Sequence, residues 1–285
     1  MKLSIITINY NDYAGLNKTI NSVIQQTFRD FEYIVIDGGS TDGSAELIKQ
    51  YSDYLSYWVS EKDHGIYNAM NKGLQHAKGE YCLFLNSGDF LFKNNSLTEL
   101  FKNNFNEDIV SAGCTNFNET KEWYKYPPVD ISLYTFLNGS LPHPSSLIKT
   151  KLLNDLGGYR ENYRIISDWC FFLEATIVKN CSYRAINMII TRFNCFGISS
   201  ISQKNEEKEK IEFLKILFPR IIKDYCILEN EPVANVLFFL NEKNRNGNKH
   251  IYSFLLFPFK VINSLLKLRR RLGKRMRIMR IIDLK

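Results

Sequence analysis

Four short apolar runs alternate with amphipathic stretches through the first ninety residues, and this alternation fixes most of what the chain can become. Leu3–Ile8, Phe31–Ile36, Leu55–Val59 and Tyr81–Leu85 read as strands. They are nearly all apolar and rich in β-branched and aromatic residues, as strands buried on both faces are. Between them, Leu16, Ile20, Val23 and Ile24 recur at helical spacing, as do Ile66, Met70, Leu74 and Ala77. Ala45–Tyr51 supplies a third, shorter helix. Connections are short, so the order is β-α-β-α-β-α-β, the pattern of a doubly wound, mostly parallel α/β sheet.

Such sheets bind ligands beyond the carboxyl ends of their strands. Polar residues stand at each of those ends: Thr7, Asn9 and Tyr10 after the first strand, Asp37 after the second, Asp63 after the third and Asp89 after the fourth. Any one of these is an ordinary turn residue, and Asn86-Ser87-Gly88-Asp89 is a plain turn by composition. Their succession along one edge argues for a site. A nucleoside diphosphate suits it, with Tyr10 against a base, a carboxylate on base or ribose, and a hard cation on the phosphates. The Asp37-Gly-Gly-Ser-Thr-Asp-Gly segment follows a strand and opens a helix, but it lacks the G-x-G-x-x-G order and the P-loop lysine.

Beyond residue 90 the pattern loosens. Leu97–Phe101 and Lys151–Leu156 read as helices, the latter closed by Gly157-Gly158. Asp108–Cys114 and Ala185–Phe193 read as strands, and Trp123–Pro128 as an edge strand. His143 lies between two prolines in a stiff loop. Asp168 opens a helix after Ile165-Ile166, as either a helix cap or a general base. The adjacent Trp169 either stacks on a sugar or packs in the core.

The series Ser4-Ile-Ile-Thr-Ile-Asn-Tyr-Asn, Gln25-Gln-Thr-Phe, Phe31-Glu-Tyr-Ile-Val-Ile-Asp-Gly-Gly-Ser-Thr-Asp-Gly-Ser, Gly65-Ile-Tyr-Asn-Ala-Met-Asn-Lys-Gly and Gly79-Glu-Tyr-Cys-Leu-Phe-Leu-Asn-Ser-Gly-Asp resembles family 2 glycosyltransferases of the GT-A fold. The branch it looks most like builds bacterial exopolysaccharide, capsule or O-antigen. The similarity covers roughly residues 3–200. It implies inverting transfer of a sugar from a UDP- or GDP-linked donor, with Mg²⁺ or Mn²⁺. Thr7, Asn9 and Tyr10 match the first donor-binding strand end, and Asp37 the acid that meets base or ribose. Asp89 matches the last acid of the metal motif. His143 and Asp168 match the acceptor-side histidine and the catalytic base. Gly38 stands where many members carry a second Asp, and Asn86, Ser87 and Gly88 leave one acid in the metal motif. The Gln-x-x-Arg-Trp signature of processive synthases is absent, which implies addition of single sugars.

The net charge of +7 is unevenly held. Residues 260–285 contain ten Lys and Arg against one acid, leaving 27 bases and 29 acids elsewhere. The chain therefore reads as a transferase domain over 1–202 and a helical, basic extension over 203–285, with the charged run Gln203–Lys210 as the boundary. Apolar residues between Ile251 and Leu268, followed by Arg269–Arg271 and further bases, suit an amphipathic helix on an anionic membrane surface. A charged helix packed on the body is the other reading. The slightly acidic body argues against nucleic acid. Six cysteines are scattered without CxxC spacing, which argues against a zinc site and suits a reducing compartment. The initial apolar run is too short for a secretory signal. The expectation is a cytoplasmic enzyme, peripheral on the inner membrane face, acting on a glycan or lipid-linked acceptor. A sugar-1-phosphate nucleotidyltransferase would need a Gly-rich basic loop after the first strand, where this chain has Asn9-Tyr-Asn-Asp-Tyr13. A non-catalytic, membrane-associated partner of other transferases is the remaining alternative.

Overall fold

Strand β1 (Leu3–Asn9) is flanked by two parallel neighbours and covered on both faces. The computed structural model describes residues 1–117, 121–195 and 203–220. β2 (Phe31–Asp37) pairs with β1 on one side, and β3 (Tyr57–Ser60) continues the parallel order beyond it. β4 (Tyr81–Phe84) pairs with β1 on the other side, giving the parallel half β3-β2-β1-β4.

The alternation of a strand sends odd and even residues to opposite faces. Leu3, Ile5, Tyr33, Val35, Leu83 and Leu85 form one core with Leu16, Ile20 and Val23 of α1 (Tyr13–Ile24) and with α2 (Ser44–Gln50). Asp12 caps α1, accepting the Gly15 N–H at 3.0 Å. On the even face α3 (Ile66–His76) lies against β1 and β2, and a Cβ on Gly73 would meet the Ile6 side chain at 2.5 Å. Burying each of these Leu and Ile side chains stabilises the fold by about 1.5–3 kcal/mol relative to exposure.

Beyond β4 the sheet becomes mixed. β5 (Phe90–Leu91) and α4 (Ser96–Phe101) follow the turn after β4, and β6 (Ile109–Phe117) forms a hairpin with β7 (Glu122–Lys125). α5 (Leu133–Asn138) and a 3₁₀ turn at His143–Ser145 lead into β8 (Ser146–Lys149), which lies antiparallel between β4 and β6. α6 (Thr150–Asp155), α7 (Ser167–Leu173) and a π-helical turn at Glu174–Val178 precede β9 (Tyr183–Asn194). β9 runs parallel to β6 and antiparallel to β5. The order is β3-β2-β1-β4-β8-β6-β9-β5, parallel throughout β3-β2-β1-β4 and mixed beyond it, where β6 and β9 keep a parallel pairing. The residues 133–138, 146–149 and 90–91 carried no sequence expectation of regular structure. β8 has just two fully apolar residues, Leu147 and Ile148, and is a strand because neighbours on both edges pair with it.

The chain divides into two compact units, Met1–Glu206 and Glu207–Lys285. The charged run expected as a boundary belongs to a helix, α8 (Gln203–Leu217). The tail expected to meet a membrane lies outside the described residues. Among those described, no helix is long and apolar enough to cross a membrane.

A buried carboxylate locks the amino edge of the parallel half. Glu32 accepts the Ser4 hydroxyl at 2.6 Å, the Lys78 N–H at 2.5 Å and the Gly79 N–H at 3.2 Å. The bonds require Gly79 to lie flush on β1, where a Cβ would meet backbone atoms of Leu3 and Ser4 at 2.5 Å. Backbone cannot swing aside as a side chain can. Gly79→Ala is therefore expected to destabilise the protein by about 1–3 kcal/mol, the usual range for an overpacked core. Chemical denaturation of the two proteins measures it.

Candidate functional site

The parallel register puts Asn9, Asp37 and Ser60 side by side at the carboxyl edge. Asp37 is fully buried and binds across all three strands. Its Oδ1 accepts from Asn9 Nδ2 at 2.7 Å and Ser40 Oγ at 2.5 Å. Its Oδ2 accepts from the Ser40 N–H at 2.9 Å and Ser60 Oγ at 2.6 Å. Burial pushes this carboxyl up, but the bonds from Ser40, Ser60 and Asn9 outweigh it and hold the group below its ordinary value. Asp37 is thus an ionised pillar under the edge, with both oxygens engaged by protein donors.

The surface above that pillar belongs to Tyr10 and Asp63. Tyr10 is 66% exposed. Asp63 is half-buried, accepts the Gly65 N–H at 2.9 Å and hangs over Gly38. A Cβ on Gly38 would meet Asp63 Oδ2 at 2.5 Å and the Tyr10 ring at 3.2 Å. The carboxylate of Asp63 fills the space that a side chain at position 38 would need. Thr7 corrects the expectation that it faces a ligand. It lies on the odd face of β1, buried, donating to the Leu85 carbonyl at 2.7 Å beside the Tyr33 hydroxyl at 3.0 Å. Asn9 is buried and its Oδ1 has no partner among the described residues.

The turn after β4 is pinned from α1. Thr19 Oγ1 reaches the Asp89 carbonyl at 2.6 Å and receives the Gly88 N–H at 3.1 Å. This folds Asp89 inward, where it is 4% exposed and its Oδ1 accepts the Asn194 N–H at 2.9 Å. Burial drives its carboxyl up; the Asn194 bond opposes and the nearby Asp12 charge adds, leaving it at about 8. Asn86 Oδ1 is also buried without a partner among the described residues. Asp12 reaches the same turn, with its Oδ2 3.4 Å from where a Gly88 Cβ would stand.

These ligand atoms are all oxygen, and among the described residues none places a compensating positive charge on the buried acid, so the residues fit a hard divalent cation. Among the described residues there is no group of three His, Cys, Asp or Glu that would hold one unaided. Between pH 4 and 8 the unfolded chain ionises residue 89 while the folded chain keeps it protonated, so stability falls as pH rises across that window. Asp89→Asn removes the effect. Its thermal midpoint is expected to gain on wild type as the buffer goes from pH 4.5 to pH 8 without added metal, as thermal denaturation across pH will show.

Asp168 lies in the first turn of α7, whose cap position is Ile166, with no side-chain cap bond. Its carboxylate is instead held from α3, where the Tyr67 hydroxyl stands 2.8 Å from Oδ1 and 2.6 Å from the Ile165 carbonyl. The charge of Asp168 also acts on His143 and Tyr159. His143 precedes β8 and its ring stacks on Phe84 of β4, 5.5 Å between centroids. Tyr67 stands in the first turn of α3, just past the carboxyl end of β3, so Asp168 is tied to the carboxyl edge of the sheet that Asp89 follows after β4.

On the acceptor side, His143 departs from its expected role, and Trp169 takes the second of its two readings and packs in the core. His143 is buried among Phe84, Tyr159 and Phe172, and its Nε2 bonds the Tyr159 hydroxyl at 2.8 Å. Burial lowers its pKa, with Asp168 partly opposing, so the ring is neutral and offers no charge to phosphates. Trp169 is 2% exposed and donates its ring N–H to the Phe136 and Gly139 carbonyls, both at 3.0 Å, so no face is open to a sugar. Residues the sequence reading missed are Ser40 and Ser60 on Asp37, Tyr67 on Asp168 and Asn194 on Asp89. Ser60 was findable from strand register and Tyr67 from its place in the Gly65-Ile-Tyr-Asn segment; nothing local marks Asn194. A cavity of about 420 Å³ opens beside Tyr67, lined by His64, Asn68, Glu161 and Arg164 among others.

A parallel half with acids at its carboxyl edge, joined to a mixed half that carries a further acid, defines the GT-A class of fold. The chain belongs to Glycosyl transferase family 2, whose pattern it matches over residues 4–168. It is 32% identical over 208 residues to an uncharacterized glycosyltransferase of Mycobacterium tuberculosis, covering 70% of this chain and 77% of that one. It is 27% identical over 220 residues to a PGL/p-HBAD biosynthesis glycosyltransferase of Mycobacterium bovis, covering 75% and 83%. The fold is similar to that of S. aureus TarS residues 1–349 in complex with UDP-GlcNAc, with TM-score 0.62 and 21% identity over 76% of this chain and 65% of that one. It spans 40% of the longer TarS chain. A mannosyltransferase of Pyrobaculum calidifontis in complex with GDP-Man and Mn²⁺ has TM-score 0.58 and 14% identity, covering 92% and 80%.

Proposed function

We propose that this glycosyltransferase moves one sugar, with inversion, from a UDP- or GDP-linked donor to a hydroxyl of a glycan or lipid-linked acceptor in surface polysaccharide synthesis. The observation that carries this reading is the pair of acids at one end of the sheet. Asp89 is buried and short of a cation, and Asp168 is tethered on one oxygen. Solved relatives of the same fold hold UDP-GlcNAc or GDP-Man, which supports a nucleotide sugar as donor.

In this reading Tyr10 and Asp63 flank the base, above the pillar formed by Asp37, Ser40 and Asn9. Asp89, with Asn86 beside it, would hold Mg²⁺ or Mn²⁺, which when bound neutralises charge on the leaving diphosphate. Asp168 acts as general base. The acceptor oxygen bonds to the anomeric carbon as its proton passes to Asp168. The bond from that carbon to the diphosphate oxygen breaks, and the electron pair leaves with the diphosphate. Inversion requires the base to stand on the side opposite the leaving group. The basic tail over 251–285 supports a site of action at an anionic membrane surface on the cytoplasmic face, on its sequence pattern alone.

Release of UDP from UDP-GlcNAc and of GDP from GDP-mannose, with Mn²⁺, tests the reading. Asp168→Ala is expected to lose about 10²–10⁴-fold in turnover, the range for a missing general base. Asp89→Ala and chelation by EDTA are expected to abolish it. Wild-type rates in both variants would refute the assignment, and donor binding without turnover would favour a non-catalytic partner.

A further inference from the structure

The Gly65-Ile-Tyr-Asn-Ala-Met-Asn-Lys-Gly segment has a structural task that the donor-site reading does not use. Three of its side chains reach from α3 to the chain leading to Asp168 and grip it. Asn71 donates to the Tyr159 carbonyl at 2.8 Å and accepts the Tyr159 N–H at 2.8 Å. Asn68 and Asn71 both donate to Glu161, at 2.9 and 2.8 Å. Tyr67 reaches Asp168 itself.

The Tyr67 hydroxyl has one proton and two acceptors within reach, the Ile165 carbonyl and Asp168 Oδ1. The N–H groups of Ser167 and Asp168 face the same oxygen. The side chain is buried, and burial followed by the charge of Asp168 keeps it a phenol. No other element supplies the carboxylate with a donor among the described contacts. His143 and Tyr159 bond each other, Glu174 pairs with Arg160 at 2.7 Å, and α5, which packs on α7, contains no charged residue.

We propose that Tyr67 is a positioning residue for sugar transfer. Its buried hydroxyl fixes the Asp168 carboxylate through Oδ1 and so leaves Oδ2 to receive the acceptor proton. This rests on the reading of Asp168 as the base. Tyr67→Phe keeps the ring and removes only the bond.

The test is donor cleavage and donor binding by Tyr67→Phe in the full chain. kcat is expected to fall by about 10²-fold, the scale of a misplaced catalytic group, with KM and Kd for the donor unchanged. In Asp168→Ala the same substitution should cost nothing further. Wild-type kcat in Tyr67→Phe overturns the proposal, as does a loss that simply multiplies with that of Asp168→Ala. Wild-type turnover in Asp168→Ala instead defeats the base reading. Should Tyr67→Phe fail to fold, the ¹³C resonance of Tyr67 Cζ must move in Asp168→Asn, and its indifference to that substitution overturns the proposal.

Discussion

Burial of β1 on both faces is the constraint from which the site follows. A strand covered by α1 on one side and α3 on the other has no room for polar side chains along its length, except where they bond inward as Thr7 and Ser4 do. Polar groups that must meet a ligand are driven to the end of the strand, and parallel pairing brings the ends of β1, β2 and β3 into line. Asn9, Asp37 and Ser60 are adjacent because of backbone register, before any side chain selects another.

Two buried acids of the carboxyl edge rest in opposite electrostatic settings. Asp37 is buried yet ionised because four donors meet its oxygens. Asp89 is buried with one donor and a neighbouring negative charge, so it resists ionising. The first setting is complete without a ligand and shapes the edge. The second has no positive charge beside it among the described residues, which suits a cation site.

The parallel half was legible because its signals are local. Each strand and helix up to Asp89 carries its own periodicity, and the resemblance to family 2 rests on the same residues. The mixed half was read less well because its order is imposed from outside. β8 becomes a strand between two partners, one more than sixty residues earlier in the chain. Thr7 stands near the strand end, yet strand alternation places it on the buried face of Leu3 and Ile5. His143 matches an acceptor-side histidine by motif, and the chemistry of Trp169 allows either a sugar or the core. Only the packing of Phe84, Phe136 and Phe172 around them shows that they belong to the interior.

The placement of β8 also bears on how the polypeptide assembles. During synthesis the first eighty-four residues can pair in the order they emerge, but the outer edge of β4 is closed only when Ser146–Lys149 arrives. Until then an apolar strand edge is open to foreign pairing. The interval between those two segments is the vulnerable period in the biogenesis of this enzyme, and it is where a nascent-chain chaperone would do most good.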